Sequence, residues 1–306
     1  MLFSFFVFNL KIFVLSHIFP LSFFFPSSFV FSCPLCCLSC FRVTSLPGVE
    51  EITQLITLDI SHTKVDTESI RSLSNHPNLR YLSLAHTDNI MGDQALAYLK
   101  CLKLKEIKLP NRHRTTDVGI LHLAEIPLST LDLTNYINVG NTGMAGVGKI
   151  HTLKVLLLGN TKVTDEGVNA LKDLNHLEIL YLDRTKITNQ CAPVFKSFPK
   201  LLELSLASTM ISSTFLTSGH LNSCTQLERL NLSRTRIDDR GLVCLRLRLL
   251  SLLNLDGTRV RPTAVSELTG CPHLQRVTLN NLVTVSANDE DAAAGSDEEQ
   301  NPQQDV

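Results

Sequence analysis

Four stretches of the chain carry residue types that could do chemistry if the fold held them together. The first is Gly143-Met144-Ala145-Gly146-Val147-Gly148-Lys149-Ile150, which matches the first seven positions of G-x-x-x-x-G-K-[ST]. That loop wraps nucleotide phosphates with its backbone N–H groups. The match fails at the eighth position, where Ile150 replaces the hydroxyl that would hold magnesium. The second stretch runs from Cys33 to Cys40 and contains two abutting C-x-x-C pairs. A zinc site needs a length of chain between such pairs so that four sulfurs converge, and none is present. Palmitoylation beside a membrane segment is the other reading of these thiols. The third is the pair His62 and His86 with Asp59 nearby, a metal or pH-sensing pair if the rings meet and exposed polar residues on a strand edge otherwise. The fourth, Pro110 to Thr116, is polar and locally basic, and offers Arg112, His113 and Arg114 as contact residues. No nucleophile, base and orienting acid recur at usable spacing, so no catalytic residue, metal or cofactor is expected.

The elements that position these residues follow one frame. Residues 153 to 174 read L-x-x-L-x-L-x-x-T-x-V-T-D-x-G-V-x-x-L, and the frame returns along most of the chain. Its ninth position falls at Thr63, Thr87, Arg112, Tyr136, Thr161, Thr185, Thr209, Thr235, Thr258 and Leu282, ten copies spaced 23 to 26 residues apart. A period of this length with paired leucines predicts an α/β leucine-rich repeat solenoid, a horseshoe of about ten repeats with a parallel concave sheet and short convex helices. The leucines at positions four and six alternate with a polar residue and so face the core. The intervening column (Asp59, Ser83, Lys108, Asp132, Leu157, Tyr181, Ser205, Asn231, Asn254, Thr278) is expected on the concave side, a surface about 45 Å long at the spacing of parallel strands.

The frame also reassigns the phosphate-loop match. Gly143 to Val147 fall where Thr164 to Val168 fall one repeat later, and Ile150 takes the apolar place of Leu171. Seven copies carry Thr at the ninth position, where its hydroxyl is expected to satisfy backbone groups of its own and the adjoining repeat; Arg112 and Tyr136 break that ladder. Ser, Thr or Asp precedes each convex run, as in Thr116-Asp117, Thr164-Asp165 and Asp238-Asp239, and is expected to cap a short helix.

Residues 1–42 stand outside this pattern. Ile12 to Phe31 is uncharged and long enough to cross a bilayer, but Pro20 and Pro26 interrupt it and no basic residue precedes Lys11. A signal or anchor, a translated pyrimidine-rich tract and a folded element are the three readings. Residues 43–282 form the repeat domain, and 283–306 an acidic tail without periodicity, expected to be disordered. The strand near Leu58 has no recognisable repeat before it, so its edge needs covering by residues 43–54, by a partner or by a further N-terminal region. A net charge of -1 makes no case for nucleic acid, and no small-molecule substrate is expected. Five cysteines scattered through the repeats, without disulfide-bonded caps, point to a reduced, cytoplasmic chain, with membrane or secreted placement as the alternative if residues 1–42 are an anchor or signal. The sequon at Asn231 lies on the concave strand face and is read as chance.

Cys224-Thr-Gln-Leu227 and Cys271-Pro-His-Leu274 place Cys three residues before the first leucine, and Thr-x-Val-Thr-Asp-Glu-Gly-Val follows the strand. Over roughly residues 50 to 282 the chain resembles the cysteine-containing subtype of leucine-rich repeat. That subtype is found in F-box substrate receptors of ubiquitin ligases and in antagonist-of-mitotic-exit type proteins. The second signature Cys is Thr in most copies, and no F-box-like helical segment precedes Val49. The resemblance implies a scaffold that recognises a protein partner, with substrate selection for ubiquitin ligation as its most concrete form. A membrane-anchored or secreted recognition protein is the alternative. Aromatic and arginine side chains are the usual anchors of such surfaces, which singles out Tyr81, Lys108, Tyr181, Asp183, Arg184, Arg229 and Arg234 beside the Arg112–Arg114 bulge.

Overall fold

The computed structural model describes Leu35–Cys37 and residues 43–280. The leucine pairs build one parallel sheet in which every strand is three residues long. In order the strands are β1 Leu35–Cys37, β2 Thr57–Asp59, β3 Tyr81–Ser83, β4 Glu106–Lys108, β5 Thr130–Asp132, β6 Val155–Leu157, β7 Ile179–Tyr181, β8 Glu203–Ser205, β9 Arg229–Asn231, β10 Leu252–Asn254 and β11 Arg276–Thr278. Each strand pairs only with its sequence neighbours, so spatial order equals chain order. This is the α/β leucine-rich repeat solenoid that the period predicts.

Register is set by the central residue of each strand. Leu156 pairs with Leu180, Leu180 with Leu204 and Leu204 with Leu230, and all four are buried. Leu153, Leu177, Leu201 and Leu227 form a second buried column, Leu158, Leu182, Leu206 and Leu232 a third, and Val163, Ile187, Ile211 and Ile237 a fourth. A repeat alone would leave these layers wet; stacking removes them from water. Truncating one such leucine to Ala costs about 2–5 kcal/mol.

The convex returns are short: α1 Thr67–Arg71, α2 Gly92–Leu99, α3 Asp117–Leu121, α4 Asn141–Val147, α5 Asp165–Asn169, α6 Ser213–Thr217, α7 Asp239–Leu242 and α8 Pro262–Ser266. Between α5 and α6 the return Asn189–Ser197 is a 3-10 helix with Pro193 inside it. Pro has no N–H to continue an α-helix, and the tighter turn delivers Phe195 edge-on to Phe198 and Phe215 at centroid distances of 5.9 and 5.3 Å.

The capping pattern does more than cap. Thr116 and Asp238 accept from N–H groups of their own first turn, as expected, and Thr188 does the same, whereas the Thr164 side chain, expected to cap α5, makes no such bond. The residue that follows the cap, or in α2 the second helical residue, bonds instead to the cap of the next repeat. Asp93 accepts from the Thr116 N–H at 2.7 Å, Asp117 from Gly140 at 2.7 Å, Asn141 from Thr164 at 2.9 Å, Asp165 from Thr188 at 2.8 Å, and Asn189 from Ser212 at 2.9 Å. Ser213 and Asp239 continue the series to Asp238 and Arg261. Glycine makes room for it: a Cβ on Gly167 would lie 2.6 Å from Asn141 Oδ1.

The sheet begins one strand earlier than the repeat frame predicts. Cys36 pairs with Leu58, and Val43 lies seven residues beyond Cys36 as Val65 lies seven beyond Leu58. The Val43 carbonyl accepts from Lys64 N–H at 2.9 Å, the same bond that the Val139 carbonyl accepts from Lys162 at 2.8 Å. Leu46, Val49 and Leu55 then enter the core. Leu35–Cys37 and residues 43–55 therefore supply the parts of a further repeat, and β2 has a neighbour on its outer side. Cys36 and Cys37 lie in β1, whereas Cys33, Cys40, the apolar run Ile12 to Phe31, Leu282 and the acidic tail fall outside the described residues. Among the described residues no helix is long and apolar enough to cross a membrane.

Candidate functional site

The phosphate-loop match resolves into helix packing. Gly143 to Val147 lie inside α4, not in a loop between strand and helix. Gly143, Gly146 and Gly148 are buried, and any Cβ there would collide with Asp117, Leu121 and the Ala170 backbone respectively. These glycines permit close contact between neighbouring helices, and Lys149 points into solvent.

Seven threonine hydroxyls at the ninth position each donate to the carbonyl three residues back, from Thr63 to Ile60 at 2.7 Å through Thr258 to Leu255 at 2.6 Å. The ladder is therefore local to each repeat, and the expected bond to the adjoining repeat is not its basis. At the break, buried Tyr136 donates its phenol to the Pro110 carbonyl of the preceding repeat at 2.9 Å. Burial holds its pKa well above that of a free phenol. Thr115 takes the buried place that Val163 holds elsewhere and donates to Asn111, which leaves Arg112, His113 and Arg114 exposed on the turn after β4. That turn is pinned: Asn111 bonds Asp88, and Asn138 bonds the His113 carbonyl.

In eight repeats the residue before the ninth position adopts the left-handed conformation; Asn111, before Arg112, does not. His62, His86, Asn135, Asn160, Arg184, Ser208, Arg234 and Gly257 have φ between 55° and 67° and form one rim beside the concave sheet. A side chain there costs about 1–2 kcal/mol relative to Gly, and Asn tolerates it best. Of these eight only Gly257 is glycine. His62 and His86, expected on a strand edge, sit instead on this rim with rings stacked at 4.5 Å.

The concave face carries two columns, since the first and third residues of every strand point the same way. The sequence column counted only the third residue. The first residues, including Glu106, Glu203, Leu252 and Arg276, line the face as well. Their omission concealed the central feature of the C-terminal half. Glu203 accepts the Tyr181 phenol on one oxygen and the Arg229 guanidinium on the other, the latter through Nε at 2.6 Å. Burial, and then the Glu203 carboxylate, push the Tyr181 pKa up to about 12, so the phenol is a neutral donor. The alternation puts Glu203 on the concave face, and the strand register puts Tyr181 and Arg229 on the strands either side of it.

Of the residues singled out by sequence, Tyr181, Asp183, Arg184, Arg229 and Arg234 are brought together. Tyr181, Asp183 and Arg229 line a groove with Glu203, Leu252 and Arg276. Tyr181 and Asp183 also line its continuation over the rim with Asn160, Arg184, Ser208 and Arg234. Asp183 is committed within the fold, accepting the Ser205 hydroxyl and the Ala207 N–H. Arg184 and Arg234 are exposed, and neither enters an ion pair among the described residues. Tyr81 and Lys108 lie four and three strands away from Tyr181 on β3 and β4, and the Arg112–Arg114 bulge lies on the turn beyond β4. The predicted residues therefore form two groups.

No family model matches the chain, and no curated protein matches it. Solved structures do. The chain is similar to an internalin C2 from Listeria monocytogenes, 20% identical, with 78% of this chain and 77% of that chain covered at a TM-score of 0.37. It is also similar to an internalin from the same organism, 18% identical, with 80% of this chain and 85% of that chain covered at a TM-score of 0.49. Neither likeness carries an argument about what this chain binds.

Proposed function

We propose that this chain is a protein-recognition scaffold and that a polypeptide partner lies across the C-terminal half of its concave face. What supports the reading is one continuous groove on a rigid parallel sheet, with an aromatic, an aliphatic and three arginine side chains presented together: Tyr181, Leu252, Arg184, Arg229 and Arg234. Such side chains supply most of the binding energy at protein interfaces. Tyr181 and Arg229 are held in place by Glu203, so little rotamer freedom is lost when a partner docks. Arg184 and Arg234 occupy left-handed positions that Asn or Gly would fill at lower cost, and a conformation of that cost is found most often where a side chain is used.

The narrower form of the reading, substrate selection for ubiquitin ligation, rests on the Cys-x-x-Leu pairs at Cys224 and Cys271. In other repeats the same core column holds Ile150, Leu174, Phe198 and Leu247, all buried. Burial pushes the Cys224 thiol up to about 12, so it packs there as a small apolar side chain. The proposal is accordingly made at the level of polypeptide recognition. A cytoplasmic site belongs with it, supported by the buried thiols of Cys191, Cys224 and Cys271; carbonate-resistant membrane association would contradict that placement.

Proximity labelling from the full chain identifies the partner, and titration calorimetry then measures its affinity. The pair Tyr181→Ala with Arg234→Ala is expected to weaken binding at least 100-fold, about 2.7 kcal/mol. A convex control, Val118→Ala with Leu121→Ala, is expected to leave it unchanged. Loss of affinity in the control alone would place the interface on the helices.

A further inference from the structure

The near-zero net charge conceals a strong asymmetry. The chain has 28 Lys and Arg and 29 Asp and Glu; seven of the acids lie beyond Asn280 and no Lys or Arg does, so the chain up to Asn280 holds 28 positive against 22 negative charges. Within the positive part the excess is concentrated late. From Arg184 to Arg276 there are 13 basic and 6 acidic residues.

Several of those acids are committed within the fold. Glu203 holds Tyr181 and Arg229, Asp238 caps α7, Asp239 binds Arg261, and Asp256 accepts the Asn280 N–H at 2.6 Å. Asp183 and Asp256 line the rim groove, and both face backbone N–H groups. Arg184 and Arg234 line the same groove with Ser208 between them, exposed and outside the ion pairs of the described residues. They stand two repeats apart, about 10 Å along the sheet. That spacing suits several carboxylates on an extended segment better than one.

We propose that the acidic segment Asp289 to Glu299 of the same chain occupies this arginine rim and acts as an internal competitor for the groove. Charge complementarity and reach support it. The segment begins nine residues after Asn280, and nine extended residues span about 30 Å. From β11 the repeat of Arg234 is two strands back and that of Arg184 four, about 10 and 19 Å. Exposed guanidinium–carboxylate pairs are individually weak in water. Tethering raises the local concentration of the tail to the millimolar range, so contacts that would be sparse between separate molecules are populated within one. The inference rests on the concave-face reading for what the tail competes with, and its test is separate because the peptide assay needs no partner.

The test uses full-length chain and a fluorescein-labelled peptide of residues 286 to 300. In one variant the six acids Asp289, Glu290, Asp291, Asp297, Glu298 and Glu299 are replaced by Asn or Gln. The peptide is expected to bind this variant at least about tenfold more tightly than it binds the unaltered chain, because the resident competitor is gone. The gain should fade as salt is raised from 0.05 to 0.5 M, where screening shortens to a few ångströms. Adding Arg184→Glu and Arg234→Glu to the neutralised chain should abolish the gain, while circular dichroism shows the fold retained. Equal binding to the unaltered and neutralised chains would overturn the proposal, as would a gain that survives both arginine changes. A sedimentation shift showing that unaltered chains associate through their tails would overturn it in favour of a second copy as occupant.

Discussion

His76 shows how one residue departs from a column that is otherwise apolar. It lies three residues before Leu79, where later repeats place Ile150, Leu174, Phe198 or Leu247, and it is buried with neither ring nitrogen hydrogen-bonded. Burial lowers its pKa, against a weaker opposing pull from the Ile52 and Val49 backbone. The folded state therefore favours the neutral ring. Below the unfolded value near 6.5 the unfolded chain binds the proton more readily, so this contribution to stability is complete above that pH and is lost as pH falls through it. Urea denaturation at pH 7.5 and 5.5 should show the chain weaker at the lower pH. His76→Leu should raise stability by roughly 1 kcal/mol at neutral pH and shrink the difference between the two pH values. An unchanged pH dependence in the variant would assign the effect to other groups. Sequence alone does not reveal this position, because a histidine three residues before a leucine reads as surface until its burial is known.

At the scale of the element, the stitched helix starts give the motif Thr-Asp-x-Gly its physical meaning. Asp165 accepts both the N–H and the hydroxyl of Thr188, at 2.8 and 2.7 Å. Asp165→Ala leaves a half-buried N–H without its acceptor and should cost about 1–3 kcal/mol. Asp173→Ala, on the exposed side of the same return, should cost under about 0.5 kcal/mol. Thermal denaturation separates the two, and equal costs would show that the inter-repeat bond contributes nothing. The cap residues were legible because a polar side chain before an apolar run is a local signal. Asp165 was not, because its partner lies 23 residues away and a local cap explains the same letters. Glu203 escaped for a similar reason: the frame records leucines, and a strand residue outside that frame gains meaning only when Tyr181 and Arg229 flank it on adjacent strands. β1 was hidden because Cys36 stands where the frame expects leucine, so period and composition give no cue there.

The whole molecule is quasi-one-dimensional, each repeat touching chiefly its neighbours, and its columns were readable because one period places the same chemistry at the same height each time. What the period leaves open is which stretch of the surface is used, since every strand presents its own version of each column. The proposal places it on β7 through β11, where the groove residues of both columns converge. A photo-crosslinking amino acid at Leu252, exposed on the concave face, and at Val118, exposed on α3, tests that assignment most directly. The account predicts covalent capture of the polypeptide partner from Leu252 and none from Val118. Capture from Val118 with none from Leu252 would contradict it.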